Sequence, residues 1–174
     1  MNYTLATITL SKNKNISKLL VTQKQFRFKC KRCADLCCKL GGPELLEEDV
    51  KRIEASGYLR KHFLLSEKMH TSGLTHAVGA LKTKNNGSCI FLSENHQMEN
   101  ICSIYEFRPV LCRIYPFKIE RLNQNTTVLK FIPCCKGLNN PEGKILDEKF
   151  FSRLLNKFIK LVDSNNQVAQ RPKK

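Results

Sequence analysis

Residues 30–38 read Cys-Lys-Arg-Cys-Ala-Asp-Leu-Cys-Cys, four thiols in nine positions, with Cys37 and Cys38 adjacent. Thiolates are soft donors that suit zinc or iron, and donors this close on one loop reach a metal with little loop-closure cost. Cys30 and Cys33 have the spacing of a chelating bite, a spacing that serves equally well as a redox pair. A third and fourth cysteine within the next five residues turn the reading toward metal. Five more, Cys89, Cys102, Cys112, Cys134 and Cys135, lie far along the chain. A tetrahedral zinc takes four ligands, so eight or nine thiols exceed one such site. Neighbouring side chains point to opposite faces of extended backbone and well apart on a helix. Cys37 and Cys38 are therefore expected to serve two different centres, or one of them to bridge two metals.

The chain has 174 residues, 41% of them hydrophobic, enough for one domain that buries a core without disulfides. The first apolar stretch, residues 5–10, is short and is followed rather than preceded by lysines, which is not the order of a secretory signal. The expected setting is a reducing cytoplasm, where dense cysteines bind metal or catalyse rather than pair. No apolar run approaches the roughly 20 residues of a membrane-spanning helix. The formal charge of +15 is uneven: residues 1–32 carry eight Lys or Arg and no acid, and the chain ends Arg-Pro-Lys-Lys. Residues 1–25 read as a basic arm with little fixed structure and 164–174 as a basic tail, with the domain over 26–163. Solvation is the plainer role for the arm; contact with nucleic acid is the alternative.

Within the domain, Gly41-Gly42-Pro43 makes a turn, and a helix follows over residues 44–57 with Leu46, Val50 and Ile53 on one face. Residues 58–76 show no clean period. A hairpin is expected from 80–83 to 89–92 through Asn85-Asn86-Gly87, with Cys89 at its mouth. A reversal over 93–100 delivers Cys102, and a further hairpin joins 117–122 to 128–132, just before Cys134. From Leu146 the apolar residues Phe150, Leu154, Phe158 and Val162 step by four, an amphipathic helix that covers the core. The pattern is a small α+β domain of short β-hairpins and a few helices around a cysteine-ligated metal centre. In residues 102–117, Pro109 and Pro116 push Arg108 and Tyr115 toward extended backbone and fix Cys112 between them. Arg108 and Arg113 are candidates for donating to sulfur or holding an anionic cofactor or substrate, and surface cations otherwise. Four thiolates on Zn²⁺ carry a formal charge of about −2. Lys29, Lys31, Arg32, Lys39, Arg113 and Lys136 beside the cysteines would offset it. The histidines at 62, 70, 76 and 96 lie away from the motifs.

The aromatic-led Phe-Lys-Cys-Lys-Arg-Cys-Ala-Asp-Leu-Cys-Cys over 28–38, Leu45 to Ile53, Cys89-Ile90-Phe91-Leu92, the run 102–117 and Cys135-Lys136-Gly137 together resemble the YkgJ-like cysteine-cluster family. Its CxxCxxCC domain is named as a chelator of zinc or iron. The resemblance spans residues 26–138. It implies an intracellular metal-binding domain, zinc or iron-sulfur of the 4Fe-4S kind. Its eight ligands would be Cys30, Cys33, Cys37, Cys38, Cys89, Cys102, Cys112 and Cys135. Two departures stand out: three residues, not two, separate Cys33 from Cys37, and Cys134 is a ninth, spare thiol. A similar cluster occurs in flagellin lysine N-methylase, and members are often labelled oxidoreductases, which implies an enzyme as the second reading. Against a methylase, no glycine-rich nucleotide loop is present. The CxxxCxxC order of the radical chemistry is also reversed. A zinc-dependent nucleic-acid module is the third reading, weakened because most of the ten Phe lie in core-like periodic segments. Beyond the metal, the partner would be an unidentified protein or small molecule.

Overall fold

The computed structural model of the chain describes residues 4–11, 16–22, 25–66, 77–123 and 125–156. In chain order the elements are β1 (Thr4–Leu10), β2 (Ile16–Val21), β3 (Arg27–Phe28), α1 (Asp35–Lys39), β4 (Glu44–Leu45), α2 (Glu47–Ala55), α3 (Arg60–Phe63) and β5 (Leu64–Leu65). There follow β6 (Gly79–Leu81), β7 (Leu92–Glu94), β8 (Asn100–Cys102), a 3-10 turn (Tyr105–Phe107), α4 (Val110–Ile114), β9 (Phe117–Arg121), β10 (Thr126–Phe131) and β11 (Lys144–Ile145). A last helix, α5, covers 148–156. The mixture of short strands and helices is the expected α+β class. Where the sequence suggested one domain over 26–163, contacts divide the chain into two units: the first from the N-terminal residues to Lys31 and from Ile114 to Asn156, the second from Arg32 to Arg113.

The first unit is a four-stranded antiparallel sheet in the order β2-β1-β10-β9. Its core joins Leu5, Ala6, Ile8 and Val21 to Phe117, Leu129, Leu146, Phe151 and Leu155. Phe117 touches Phe28, Phe150 and Phe151 edge-on at 5.3–5.8 Å between ring centroids, a favoured aromatic geometry. Residues 1–25 are thus not a loose arm. Thr4–Leu10 and Ile16–Val21 are strands, and a bulge between Thr4 and Ala6 lets Leu5 and Ala6 both be buried. Lysine and asparagine composition hid them, and β1, besides its neighbour β2, pairs with β10 more than a hundred residues later. The third hairpin and the start of the last helix stand as read; residues 157–174, including the end of that helix and the tail, lie outside the described residues.

The second unit is built from shorter pieces. α2 buries Val50 and Ile53 as its period predicts, against Leu45, Phe63, Leu81, Phe91, Leu92 and Ile104. A three-stranded sheet runs β4-β6-β5. Gly79 sits at φ +156°, and a Cβ there would lie 2.3 Å from the Leu65 carbonyl oxygen, so the β5–β6 pairing requires glycine. The expected hairpin of 80–83 with 89–92 closes only at its turn, by a bridge between Thr83 and Cys89. Residues beyond it turn inward so that Phe91 meets Phe63 and Tyr58, and β6 pairs elsewhere. The reversal that delivers Cys102 is the β7–β8 hairpin, with Cys102 opposite Leu92.

Candidate metal centre

Three segments of the second unit meet through main-chain and amide bonds before any thiol is considered. The Cys89 amide donates to the Cys38 carbonyl at 2.7 Å, and the Ser103 amide to the Phe91 carbonyl at 3.0 Å. Asn100 Nδ2 donates to Asp35 Oδ1 at 3.2 Å, tying β8 to α1. The chain reaches α1 through two left-handed residues, Arg32 (φ 56°) and Ala34 (φ 47°), one on each side of Cys33. Each costs about 1–2 kcal/mol for a non-glycine residue, strain of the kind that gathers at functional sites.

On this frame four thiols converge. Cys38, buried, is hydrogen-bonded through its sulfur to Cys37, Cys89 and Cys102. The bonds fix how protons are shared. Those to Cys102, Cys37 and Cys89, followed by burial, push Cys38 far up, so it keeps its proton. The bond from Cys38 is the largest influence lowering Cys37 and Cys89, and it draws Cys102 down to about 7. The charge of Arg108 adds to the lowering of Cys37 and Cys102. Cys37 and Cys38, expected at two centres or with one of them bridging two metals, meet through their sulfurs. Consecutive positions on one helical turn lie close enough for their sulfurs to touch, and both belong to one thiol group, with Cys38 linking its members.

Cys112 is carried by α4. Burial pushes its thiol well up, and the negative charge of Cys89, Cys102 and Cys37 adds to the effect. α4 is held by Asp49 of α2, 1% exposed. Asp49 Oδ1 accepts from the Val110 amide at 3.0 Å and from Arg52 Nη1 at 3.0 Å, and Oδ2 accepts from the Leu46 amide at 3.2 Å. One carboxylate thus caps two helices. The sequence showed Asp49 only as a helix-start acid, and nothing in it signalled the second cap.

The arginines divide by task. Arg113 donates its Nε to the Arg108 carbonyl at 2.8 Å and Nη2 to the Glu106 carbonyl at 3.1 Å, so its fork is committed to backbone. Burial, then the charges of Arg52 and Arg108, lower its pKa. Arg108, extended as its following proline requires, lays its guanidinium over the Tyr105 ring at 3.9 Å, and Arg32 lies over the same ring at 4.2 Å. Arg32 and Tyr105 were not singled out from sequence as an arginine-aromatic pair. Among the cations expected to balance thiolate charge, Lys29, Arg32 and Lys39 pair instead with Glu142, Glu106 and Asp35.

The remaining thiols are placed apart by unit. Cys33 is half-buried in the second unit. Cys30, Cys134 and Cys135 belong to the first, the first two exposed. There the Lys29 amide donates to the Gly137 carbonyl at 3.0 Å and the Asn139 amide to the Arg27 carbonyl at 2.8 Å, so Cys30 and Cys135 flank one junction. A Cβ at Gly137 would lie 2.7 Å from the Lys29 oxygen, which explains the glycine two residues after Cys135. None of the nine cysteines is in a disulfide. His62 and His96 are exposed and far from the motifs in sequence; His70 and His76 lie outside the described residues.

Among the described residues no group of three or more His, Cys, Asp or Glu is placed so that it could hold a metal ion. The donor chemistry of the thiol group nevertheless fits a thiophilic metal. The donors are all sulfur and come from three segments of one unit.

The family model described as "CxxCxxCC: Putative zinc- or iron-chelating domain" matches residues 29–136. An uncharacterized protein of Methanocaldococcus jannaschii is 31% identical over 154 residues, covering 86% of this chain and 79% of its own length. No solved structure matches the chain. The chain belongs to the CxxCxxCC family, and the zinc or iron-sulfur reading of its cofactor agrees with that family's description as a zinc- or iron-chelating domain. No helix among the described residues is long and apolar enough to cross a membrane.

Proposed function

We propose that this protein holds an iron-sulfur cluster or zinc in a reducing, cytoplasmic setting. Cys37, Cys38, Cys89 and Cys102 would be its central ligands, and Cys112 and Cys33 would come from the same unit. The family resemblance adds Cys30 and Cys135 to the ligands, leaving Cys134 spare. The observation that carries the reading is the group of four sulfurs gathered on buried Cys38 from three chain segments. Thiolate ligation suits both metals, and the bound metal would supply a structural cross-link or, as an iron-sulfur cluster, an electron-transfer centre. The family resemblance favours the cluster. Purification without oxygen, a visible spectrum and a count of metal and sulfide test it. The expected result is iron with sulfide and a broad visible absorption that Cys38→Ser removes. Colourless protein carrying zinc would retire the cluster, and protein with no metal would retire the whole reading.

A second reading, contact with nucleic acid, rests on one observation. The described residues of the first unit carry eleven Lys or Arg against four Asp or Glu, those of the second ten against nine. RNA affinity that falls steeply with salt, and falls further when Lys118, Lys144 and Lys149 become Gln, is the expected outcome. Weak binding unchanged by those substitutions removes it.

A further inference from the structure

We propose that Asp49 and Arg52 of α2 are positioning residues for Cys112: they clamp the main chain of residues 106–110 and so bring Cys112 to the metal as a ligand. The inference rests on the metal reading above and extends it to side chains that carry no sulfur.

The burial of Asp49 is the starting point. Glu47 and Glu48 already supply acid to the first turn of α2 from less buried positions, whereas Asp49 is 1% exposed. A buried charge is costly unless hydrogen bonds and a counter-charge answer it. One of its bonds, from the Leu46 amide to Oδ2 at 3.2 Å, closes the start of its own helix. Another reaches 61 residues along the chain, from the Val110 amide to Oδ1 at 3.0 Å. Arg52 Nη1 donates to the same Oδ1 and also to the Arg108 carbonyl at 3.3 Å. Arg113 completes the clamp, with Nε on the Arg108 carbonyl at 2.8 Å and Nη2 on the Glu106 carbonyl at 3.1 Å. Four side-chain bonds therefore end on the main chain of residues 106–110.

That segment needs them. α4 has only five residues, too few to hold a direction by its own ladder, and Pro109 has no amide to give. Cys112 rides on it, two residues after the clamped Val110 amide. The negative charges of Cys89, Cys102 and Cys37 are felt at its thiol, so it stands beside the group. α2 serves both sides of this arrangement. Val50 and Ile53 pack in one core cluster with Cys38 and Cys89, while Asp49 and Arg52, each one position earlier, grip the segment that leads into α4. A single rigid element thus sets the distance from Cys112 to the other thiols.

The test reads coordination directly. Full-length protein is reconstituted with Co²⁺ without oxygen, and the thiolate-to-cobalt absorption in the near ultraviolet, which grows with the number of thiolates on the metal, is measured per bound cobalt. Cys112→Ser sets the loss caused by one missing ligand. Asp49→Asn, of nearly the same volume, should lose as much, and the double variant should lose no more than either single one, as expected of residues that act through one another. Ile53→Val weakens the core beneath the same helix but not its grip on 106–110, and it should keep the full absorption. That contrast separates positioning from stability. Should Asp49→Asn fail to fold by circular dichroism, Arg52→Gln, on a side chain 25% exposed, takes its place with the same expected loss. Full absorption in the clamp variant or in Cys112→Ser, or losses that add in the double variant, overturns this proposal alone. Wild type without the absorption overturns the metal reading and this proposal with it.

Discussion

The two units solve the problem of burying a core in different ways. The first has strands of five to seven residues in its sheet and a core of Phe and aliphatic side chains around Phe117, Leu129 and Phe151. The second has strands of two or three residues and helices of four to nine, and it admits Cys38 and Cys89 to its core with Cys37 and Cys102 against them. Short ladders fix few backbone hydrogen bonds, and small scaffolds make up such a deficit with a cross-link or a metal. The lesson is that thiols take core positions in the unit whose sheet strands are the shorter.

Metal removal should break this comparison most visibly. A structural metal contributes on the order of 10 kcal/mol, so chelating it from the loaded protein should strip amide-exchange protection from α2 and the β4-β6-β5 sheet. β1 and β10 should stay protected. Equal loss in both units would mean that the first unit leans on the same centre. Next in size is Phe151→Ala in the first unit, expected to cost about 3–5 kcal/mol in urea unfolding with metal per folded molecule unchanged.

Asp49→Ala should follow, at about 2–4 kcal/mol, since it strands the buried amides of Leu46 and Val110 and unpairs Arg52. The same group predicts a pH effect. Burial pushes the Asp49 carboxyl above its ordinary range, so the folded state binds that proton more tightly than the unfolded state. Its contribution is complete below the ordinary carboxylate range and is lost as pH rises through the raised value. The stability of wild type relative to Asp49→Asn should therefore decline over that interval, and a flat difference would show that the capping bonds cancel the cost of burial. Smallest is Arg60→Gln: its ion pairs with Glu47 and Glu54 lie at the surface, so the loss should not exceed about 1 kcal/mol and should vanish in high salt.

What could be read from sequence was whatever rests on local pattern. The face of α2, the β7–β8 and β9–β10 reversals, the start of α5 and the proline-fixed geometry of Arg108 all follow from spacing within a dozen residues. What could not be read was pairing across distance. β1 finds β10 after more than a hundred residues, and Asp49 caps a helix sixty residues away; neither partner leaves a mark near the other.

The amide of Cys89 and the carbonyl of Cys38 are joined regardless of what either side chain is. Main-chain bonds of this kind tolerate exchange of the attached groups, as sheet ladders do. Sequence drift at these positions, to serine, aspartate or histidine, would then alter donor hardness and charge while the scaffold stays put. Evolution could retune such a protein from one metal to another one ligand at a time, without passing through an unfolded ancestor.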